Sequence, residues 1–309
     1  MGSINPEQPT SATLCAVVTG ANRGIGLAIT RQLAEKGVTV VLTSRNEMHG
    51  ISALQSLRRE LNFSNIIFHQ LDVQDPVSVA NLVEFIDIQF GKLDILVNNA
   101  GAPGASVDIE GLKGLNIDAE SWLSGKASNI VQGFIRCTYS DALTCFDTNY
   151  YGCKRMTEAF LPLLKCSTEG ARIVNLSSLR GELKRIPNQK IRDNFDDIEN
   201  LNEEIIENML KRFMDDMKDD KLESRGWPTT VPIYSISKTA LNAYTRIIAK
   251  RHPQMYVNCV HPGFVKTDLN FNMGIIGTEE GAKGPVMLAL VPANGPSGCY
   301  FVQTTISEY

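Results

Sequence analysis

Short apolar runs recur along the chain, and stretches with the periodicity of amphipathic helices separate them. The runs are rich in Val and Ile and are continuous rather than alternating, which is typical of strands covered on both faces. Strands are predicted over residues 14–19, 38–43, 66–71, 94–99, 171–176 and 255–260. The regular alternation of strand and helix predicts a parallel sheet with right-handed crossover connections.

This pattern defines the fold class as α/β, a doubly wound Rossmann-type sheet with helices on both faces. The first helix is predicted over residues 24–36, with Lys36 in its last turn and Gly37 as its C-terminal cap. We expect a single domain over residues 1–309, in which residues 1–13 form a flexible tail.

Two stretches interrupt the alternation and are predicted to be inserts near the substrate mouth. Residues 102–142 are rich in Gly and Ser and show no strand pattern, and residues 180–230 are polar and charged. Within the second insert, apolar residues at helical spacing predict an amphipathic helix that packs on its own domain rather than on a partner. Its apolar stripe comprises Leu201, Ile205, Ile206, Met209, Leu210, Phe213 and Met217.

The composition is that of an ordinary globular protein, with 43% hydrophobic and 21% charged residues and a net charge of −4. A weakly acidic chain gives no basic field for nucleic acid or for an anionic membrane. The seven cysteines are scattered without a C-x-x-C pair, and the four histidines show no ligand spacing. We therefore expect a reducing compartment, no disulfide framework and no metal site. Without an apolar run of membrane length or a signal-peptide core, a cytoplasmic location is expected.

A glycine-rich turn, TGANRGIG, joins the first predicted strand to the first helix over residues 19–26. Such a turn lets the backbone approach a pyrophosphate, and the helix N-terminus supplies free N–H groups and partial positive charge. Its position after the first strand of an α/β chain supports a dinucleotide site. The candidate residues in this turn are Gly20, Asn22, Arg23, Gly24, Ile25 and Gly26.

The end of the second predicted strand indicates which nucleotide is bound. A site specific for NAD usually places a carboxylate there for the ribose 2′-hydroxyl, but this chain has Ser44 and Arg45. Together with Arg23 in the glycine turn, Arg45 suits a 2′-phosphate. NADP(H) is therefore predicted in preference to NAD(H).

The stretch YSISK places Tyr234 and Lys238 at positions i and i+4 of a predicted helix, on one face. A cation near a phenol favours the phenolate, so we expect a lowered pKa for Tyr234 and a proton donor that works near neutral pH. Alone, this spacing equally fits an ordinary amphipathic helix, and the rest of the chain must decide.

The rest of the chain supplies further motifs in a consistent order. They are TGANRGIG (19–26), LDV (71–73), NNAG (98–101), DTNYYG (147–152), IVNLSS (173–178), YSISK (234–238) and HPGFVKT (261–267). With these motifs the sequence resembles the short-chain dehydrogenase/reductase family from Cys15 to about Tyr300. Because the inserts are long, it is most similar to the monomeric carbonyl-reductase branch and, within it, to reductases of plant secondary metabolism.

The resemblance implies a catalytic tetrad of Asn149, Ser178, Tyr234 and Lys238. Tyr234 would be the general acid, and Lys238 would lower its pKa and bond the nicotinamide ribose. Ser178 would hydrogen-bond the substrate oxygen, while Asn149 would kink its helix and hold a relay water. The implied cofactor contacts are Asp72 and Val73 at the adenine, Asn99 along the middle, and Val265 and Thr267 at the nicotinamide.

The expected activity is NADPH-dependent reduction of a ketone on a bulky apolar plant metabolite, a monoterpenoid or an alkaloid, reversible as an alcohol dehydrogenase. Two alternatives stay open: reduction of a conjugated carbon–carbon double bond, and an NADPH-binding regulator without turnover. The intact tyrosine and tetrad count against each of them. We expect a monomer with a small-molecule substrate. The candidate pocket residues are Trp122, Phe134, Leu179, Trp227, Phe264 and Met273.

Overall fold

The computed structural model describes residues 14–61, 64–108, 110–111, 114, 121, 130 and 133–309, with the side chain of Leu61 excepted. Two predictions, the flexible tail over residues 1–13 and the pocket role of Trp122, lie outside these residues. The domain assignment over the full chain therefore stays a prediction.

A mostly parallel eight-stranded sheet forms the centre of the molecule. The strands are β1 (Cys15–Val18), β2 (Thr39–Ser44), β3 (Ile66–Gln70), β4 (Ile95–Asn98), β7 (Arg172–Leu176), β8 (Tyr256–His261), β9 (Tyr300–Val302) and β10 (Thr305–Ser307). Their order in the sheet is β10-β9-β8-β7-β4-β1-β2-β3, and each of the six predicted strands is confirmed. Strands β9 and β10 were not predicted, and β10 is antiparallel to β9, so the sheet is not wholly parallel.

Helices cover both faces of the sheet, as predicted. In the described residues they are α1 (Gly24–Glu35), α2 (Glu47–Leu61), α3 (Pro76–Phe90), α4 (Tyr139–Phe146), α5 (Cys153–Leu164), α6 (Gln189–Asp196), α7 (Glu203–Lys218), α8 (Pro232–Arg251) and α9 (Thr278–Ala289). Helix α1 ends as expected, with Lys36 as C-cap and Gly37 in the left-handed region at φ +83°. Helices α1, α2 and α9 bury their apolar sides in one core, and α3, α5, α7 and α8 share the other.

The second insert folds onto its own domain, which confirms the prediction for its apolar stripe. Ile206, Leu210 and Phe213 of α7 are buried in the core that α8 and α4 share. Phe213 meets the Trp227 ring edge-on with 5.2 Å between centroids, and the Trp227 indole N–H donates to Asp216 at 2.9 Å. Trp227 is fully buried there, so its prediction as a pocket residue is wrong.

The first insert contains a hairpin that its sequence did not predict. Strand β5 (Ser106–Val107) pairs antiparallel with β6 (Ile135–Arg136). Because each strand is only two residues long, no apolar run marks it in the sequence. The hairpin forms part of the cavity described below.

The parallel strands all present their carboxyl ends at one edge of the sheet, where open α/β sheets bind their ligands. The strand order reverses at β1, because β2 and β3 lie on one side of it and β4, β7 and β8 on the other, although β1 and β4 are parallel. Open α/β sheets have their ligand crevice at such a switch point. None of the helices in the described part of the chain has the length and apolar character needed to cross a bilayer.

Candidate active site

The glycine turn after β1 is fixed by bonds to the neighbouring strand end. Gly20 and Gly24 adopt left-handed φ values of +61° and +60°, which favour glycine. The Asn99 side-chain amide donates to the carbonyl oxygens of Thr19 at 2.8 Å and Gly20 at 3.0 Å. At Gly26 a Cβ atom would lie 2.4 Å from the Asn99 Nδ2, so only glycine fits without a shift. Three of the predicted positions, Gly20, Gly24 and Gly26, therefore form one tight cradle together with Asn99, of the kind that binds anions at a helix N-terminus.

The N-terminus of α1 follows directly from this cradle. Arg23 is its N-cap residue, has extended backbone and makes no side-chain cap, and no acidic residue lies in the first turn of the helix. The Arg23 guanidinium instead pairs with Asp268 at 2.5 Å. This ion pair links the glycine turn to the segment that follows β8. Since both side chains are exposed to solvent, the pair is weakly held.

The ends of β2 and β3 lie beside the glycine turn and carry the residues predicted to contact the adenosine part of a cofactor. Ser44 is buried, and its hydroxyl donates to the Asn46 carbonyl at 3.0 Å, whereas Arg45 is exposed. Asp72 accepts the Gln74 N–H at 3.0 Å, and Val73 is buried against the core. Because β2 and β3 are neighbours in the sheet, the structure brings these predicted residues to one side of the cradle.

Tyr234, Ser178 and Lys238 come together at the carboxyl end of β7. Tyr234 lies in the first turn of α8. Ser178, two residues after the end of β7, lines the same cavity wall, and its hydroxyl favours the ionised form of Tyr234. Lys238 lies one turn further along α8, with its Nζ 5.6 Å from the centre of the Tyr234 ring. That ammonium group is buried and donates to the Leu176 carbonyl at 2.8 Å.

The pKa values at this site differ from what the Tyr–Lys spacing predicted. Burial of its hydroxyl raises the pKa of Tyr234 above its usual value, and the neighbouring Cys145 adds to the rise. The bond to Ser178 and the charge of Arg180 act in the opposite direction but are outweighed. The expected lowering toward neutrality is therefore wrong for this structure, because desolvation exceeds the effect of nearby cations. Burial also lowers the pKa of Lys238 to about 8.

Asn149 lies in a π-helical turn, Asp147–Gly152, between α4 and α5. Its Nδ2 donates to the Ser237 hydroxyl at 2.9 Å and to the Ala102 carbonyl at 3.0 Å, and its Oδ1 accepts the Ala102 N–H at 2.8 Å. A π-helical turn is a recognised cause of helix kinks, and this one stands at the position where the resemblance implies a kink. Asn149 thereby connects the chain after β4 to α8.

A cavity that is open to solvent adjoins Tyr234 and Ser178. Of the candidate pocket residues, Leu179, Phe264 and Met273 line it, whereas Phe134 lies beside Gly111 and is absent from the described lining. The predicted nicotinamide contacts Val265 and Thr267 also line it, as does Ile25 of the cradle. The mostly apolar lining suits a small organic ligand. Sequence reasoning missed these lining residues: Pro103, Val107, Ile135, Arg180, Val231, His261, Leu269 and Phe271.

The segment over residues 264–276 closes on itself beside the cavity. The Ile275 N–H donates to the Phe264 carbonyl at 2.7 Å, and the Lys266 N–H donates to the Ile276 carbonyl at 2.9 Å. The Asn270 amide donates to the Val265 carbonyl at 2.8 Å. These bonds hold one loop in a single closed shape between β8 and α9.

Two of the missed residues could have been suspected from their positions. Arg180 lies two residues after Ser178, and His261 ends β8. Burial lowers the pKa of His261 to about 4, and the charges of Arg185 and Arg180 contribute, so its imidazole is neutral near pH 7. In the described part of the chain no group of three or more His, Cys, Asp or Glu residues is placed to hold a metal ion. All seven cysteines are free thiols.

The glycine cradle, the sheet order and the Tyr–Ser–Lys cluster define the class of a dinucleotide-binding α/β oxidoreductase. Comparison with known proteins narrows this class: residues 14–190 match the family model described as short chain dehydrogenase. The chain belongs to the short-chain dehydrogenase family and is an oxidoreductase. Enzymes of this family use nicotinamide cofactors.

Similar proteins come from plants. The chain is 48% identical to a (+)-neomenthol dehydrogenase of Arabidopsis thaliana, over 95% of this chain and 97% of that protein. The solved structure of salutaridine reductase from Papaver somniferum matches with a TM-score of 0.87 and 42% identity, covering 94% of this chain and 99% of that one. Menthone neomenthol reductase from Mentha piperita matches with a TM-score of 0.82 and 41% identity, covering 95% and 99%. These findings confirm the resemblance to the plant reductases.

Proposed function

We propose that this enzyme uses NADPH to reduce a ketone on a bulky plant metabolite of the monoterpenoid or alkaloid type, and that it runs reversibly as an alcohol dehydrogenase. One observation carries the proposal: Tyr234 and Ser178 lie together on the wall of a mostly apolar cavity, with the Lys238 Nζ 5.6 Å from the centre of the Tyr234 ring. The names of the plant relatives, a neomenthol dehydrogenase and a salutaridine reductase, support the substrate class.

The residues present fit a dinucleotide. At Gly20 and Gly26 a Cβ atom would collide with Ala100 and Asn99, so only glycine keeps the turn this tight. A tight glycine turn at the N-terminus of a helix, here that of α1, lets backbone N–H groups bind a pyrophosphate. Asn22 and Ile25 complete this turn, and Asn99 supports it from β4. Asp72 and Val73 would hold the adenine, while Val265 and Thr267 would hold the nicotinamide end.

The preference for NADPH depends on the end of β2. Ser44 and Arg45 stand where a carboxylate would select NADH, and the exposed Arg45 guanidinium offers two parallel N–H donors to a 2′-phosphate. Arg23 is the second candidate for this phosphate. Its pairing with Asp268 means that it would have to leave that partner, so Arg45 carries the larger share of the proposal.

Proton transfer is the chemical task of the protein side chains. The nicotinamide supplies the hydride when it is bound. As negative charge develops on the carbonyl oxygen, the Ser178 Oγ–H donates to that oxygen and the Tyr234 Oη–H gives up its proton to it. A phenol with a raised pKa keeps its proton at neutral pH, so Tyr234 is in the form that an acid needs.

Lys238 and Asn149 would support this acid. The Lys238 ammonium lies near the face of the Tyr234 ring and stabilises the negative charge left when the proton departs. It would also bond the nicotinamide ribose. Asn149 positions α8 through Ser237 and would hold the relay water that restores the proton.

Replacing Tyr234 with Phe tests the proposal. Turnover of a reducible ketone should fall by about 10³-fold because the proton donor is lost, while NADPH binding measured by cofactor fluorescence should persist. Tyr244→Phe is the matched control, since its buried hydroxyl lies on the same helix and has no partner in the described part of the chain. An unchanged rate in Tyr234→Phe would remove this residue from the mechanism. Product identification on an enone separates carbonyl reduction from double-bond reduction.

We further propose a cytoplasmic monomer. Helix α7 lies on α8 and α4 and covers surfaces through which relatives that lack this insert could pair. Light scattering should give the mass of one chain, and the mass of two chains would contradict this.

A further inference from the structure

His261 is a buried imidazole in the wall of the substrate cavity, and the proposed mechanism does not use it. It is the last residue of β8 and is 8% exposed. The residue before it, Val260, packs into the core that α1, α2 and α9 share. Because successive side chains of a strand point to opposite faces of the sheet, the His261 side chain lies on the other face, on which α8 packs.

The position of His261 in the sheet brings it close to the reacting groups. Strand β8 pairs with β7, and beyond the end of β7 the Ser177 N–H donates to the Val260 carbonyl at 2.8 Å. His261 therefore stands beside the residues that follow β7, and it lines the same cavity as Ser178 and Tyr234. A ligand that brings its carbonyl group to Tyr234 would have another part of its skeleton next to His261.

The ring nitrogens of His261 have capacity for a ligand. They take part in none of the hydrogen bonds among the described residues. Neither nitrogen is closed off from solvent, whereas Nε2 of the similarly buried His252 is. Because His261 lines the cavity and is otherwise buried, the cavity gives access to these nitrogens. A largely buried polar group without a partner is costly, and a ligand that completes its hydrogen bonds removes that cost.

The charge state of the imidazole determines which ligand group it suits. Burial lowers the pKa of His261 to about 4, and the charges of Arg185 and Arg180 contribute, so the ring is neutral near pH 7. A neutral imidazole has one N–H donor and one nitrogen that accepts. A hydroxyl group can bond whichever nitrogen it meets, because it accepts from an N–H and donates to a lone pair. An alkyl group would leave both nitrogens unpaired.

We propose that His261 hydrogen-bonds a hydroxyl group of the substrate, so that the ketone reduced by this enzyme carries a second oxygen on its apolar skeleton. The inference rests on the proposed function, since it treats the cavity as the ketone site. It narrows the substrate class to hydroxylated ketones and assigns their selection to a residue outside the catalytic tetrad.

Matched pairs of ketones test this inference on the wild-type enzyme. Each of the three hydroxycyclohexanone isomers is compared with the methylcyclohexanone that has its methyl group at the same ring position, by kcat/KM with NADPH. Hydroxyl and methyl groups are similar in size, so each pair compares polarity at one place. An apolar wall would favour the methyl ketone of every pair. The wild-type enzyme should instead use the hydroxy ketone of at least one pair as efficiently as its partner or better. A methyl preference in all three pairs would overturn the proposal without any variant.

Variants then show whether His261 is responsible. His261→Phe keeps a flat ring and removes both nitrogens, so the hydroxy ketone of that pair should lose about tenfold in kcat/KM relative to its methyl partner, as expected for one hydrogen bond. His261→Asn should keep part of the ratio, because its amide both donates and accepts. His252→Phe is the matched control, since it makes the same change at a similarly buried histidine at the far end of α8, and it should leave the ratio unchanged.

Failure of this inference and failure of the proposed function give different results. If none of the six ketones is reduced, the proposed function is contradicted and this inference with it. If the ketones are reduced but His261→Phe slows both members of the pair equally, only the role of His261 is contradicted. The residue would then support the packing of the site, and another group would bind the hydroxyl.

Discussion

Two regions of the molecule are built in different ways. The first, called the nucleotide region, is residues 14–100. The second, called the substrate wall, consists of the segments that line the cavity: 103–107, 135, 177–180 and 262–273. In the nucleotide region, bonds from Asn99 fix the glycine turn, and the packing at Gly26 admits no side chain. The substrate wall is assembled from a two-residue hairpin, a one-turn helix and a closed loop. A nucleotide-binding region has a restricted shape, because every dinucleotide carries the same pyrophosphate. The substrate wall can vary in sequence and shape while Tyr234, Ser178 and Lys238 stay in place.

The largest effect is expected from Arg45→Asp in the nucleotide region. A carboxylate at the end of β2 would repel a 2′-phosphate and accept a 2′-hydroxyl, so NADPH affinity should fall by about 100-fold while NADH affinity holds or rises. Fluorescence titration of each cofactor measures this. Arg59→Asp on α2, a similarly exposed cation, is the control. Equal losses for both cofactors would count against the proposed phosphate contact.

Gly26→Ala should lower the stability of the folded protein, and so tests how tightly the nucleotide region is packed. The added methyl group would meet the Asn99 amide, and overpacking of this kind costs about 1–3 kcal/mol. Thermal melting should show a lower Tm, and NADPH should bind more weakly because the cradle shifts. Gly277→Ala adds the same group in open space and should change little. Identical melting curves for the two variants would show that the glycine turn is less rigid than its bonds indicate.

The pH dependence of ketone reduction tests the role of Lys238, which lies beside Tyr234 between the two regions. Burial lowers the pKa of Lys238 to about 8, so its supporting charge is present below that pH and is lost above it. The value of kcat/KM with NADPH varied should therefore be level toward neutral pH and fall by about tenfold per unit well above pH 8. In Lys238→Arg the decline should move to higher pH, since guanidinium keeps its proton. A level profile to pH 10 would show that the charge of Lys238 is not required.

The smallest effect is expected from Val107→Ala on the substrate wall. Loss of two methyl groups from a half-buried position should raise the KM of a bulky ketone by a few-fold, through lost apolar contact of about 1 kcal/mol. The KM of NADPH and the Tm should stay unchanged, because β5 lies outside the nucleotide region. An equal weakening of NADPH binding in Val107→Ala would contradict the separation of the substrate wall from the nucleotide region.

The nucleotide region was predictable because its motifs occupy strand ends. Strands β1 to β4 appear as continuous apolar runs, and the glycine turn follows the first of them and opens a helix, the position that favours a dinucleotide site. The position of Tyr234 one helical turn before Lys238 was equally readable. Its protonation behaviour was not, because the desolvation of a phenol depends on the folded surroundings and not on the spacing of two residues.

The substrate wall resisted prediction for a related reason. Strands β5 and β6 of this wall have two residues each, so neither forms an apolar run. Outside the wall, β10 was missed for the same reason, because it is short and largely polar. Trp227 is an aromatic residue in a polar insert, a pattern that fits a pocket residue and a small hydrophobic core equally well. Its ring contact with Phe213 shows that it belongs to the core. Such contacts arise only when distant segments meet.

The self-closed loop over residues 264–276 carries Val265 and Thr267 on one side and Met273 on the other. Because hydrogen bonds join the two arms of the loop, a displacement of one arm also moves the other. If Val265 and Thr267 hold the nicotinamide as proposed, a change in the Met273 arm that admits a new substrate would also change cofactor binding. A change of specificity without that side effect has an easier route through the β5–β6 hairpin, which forms no strand pairing with this loop.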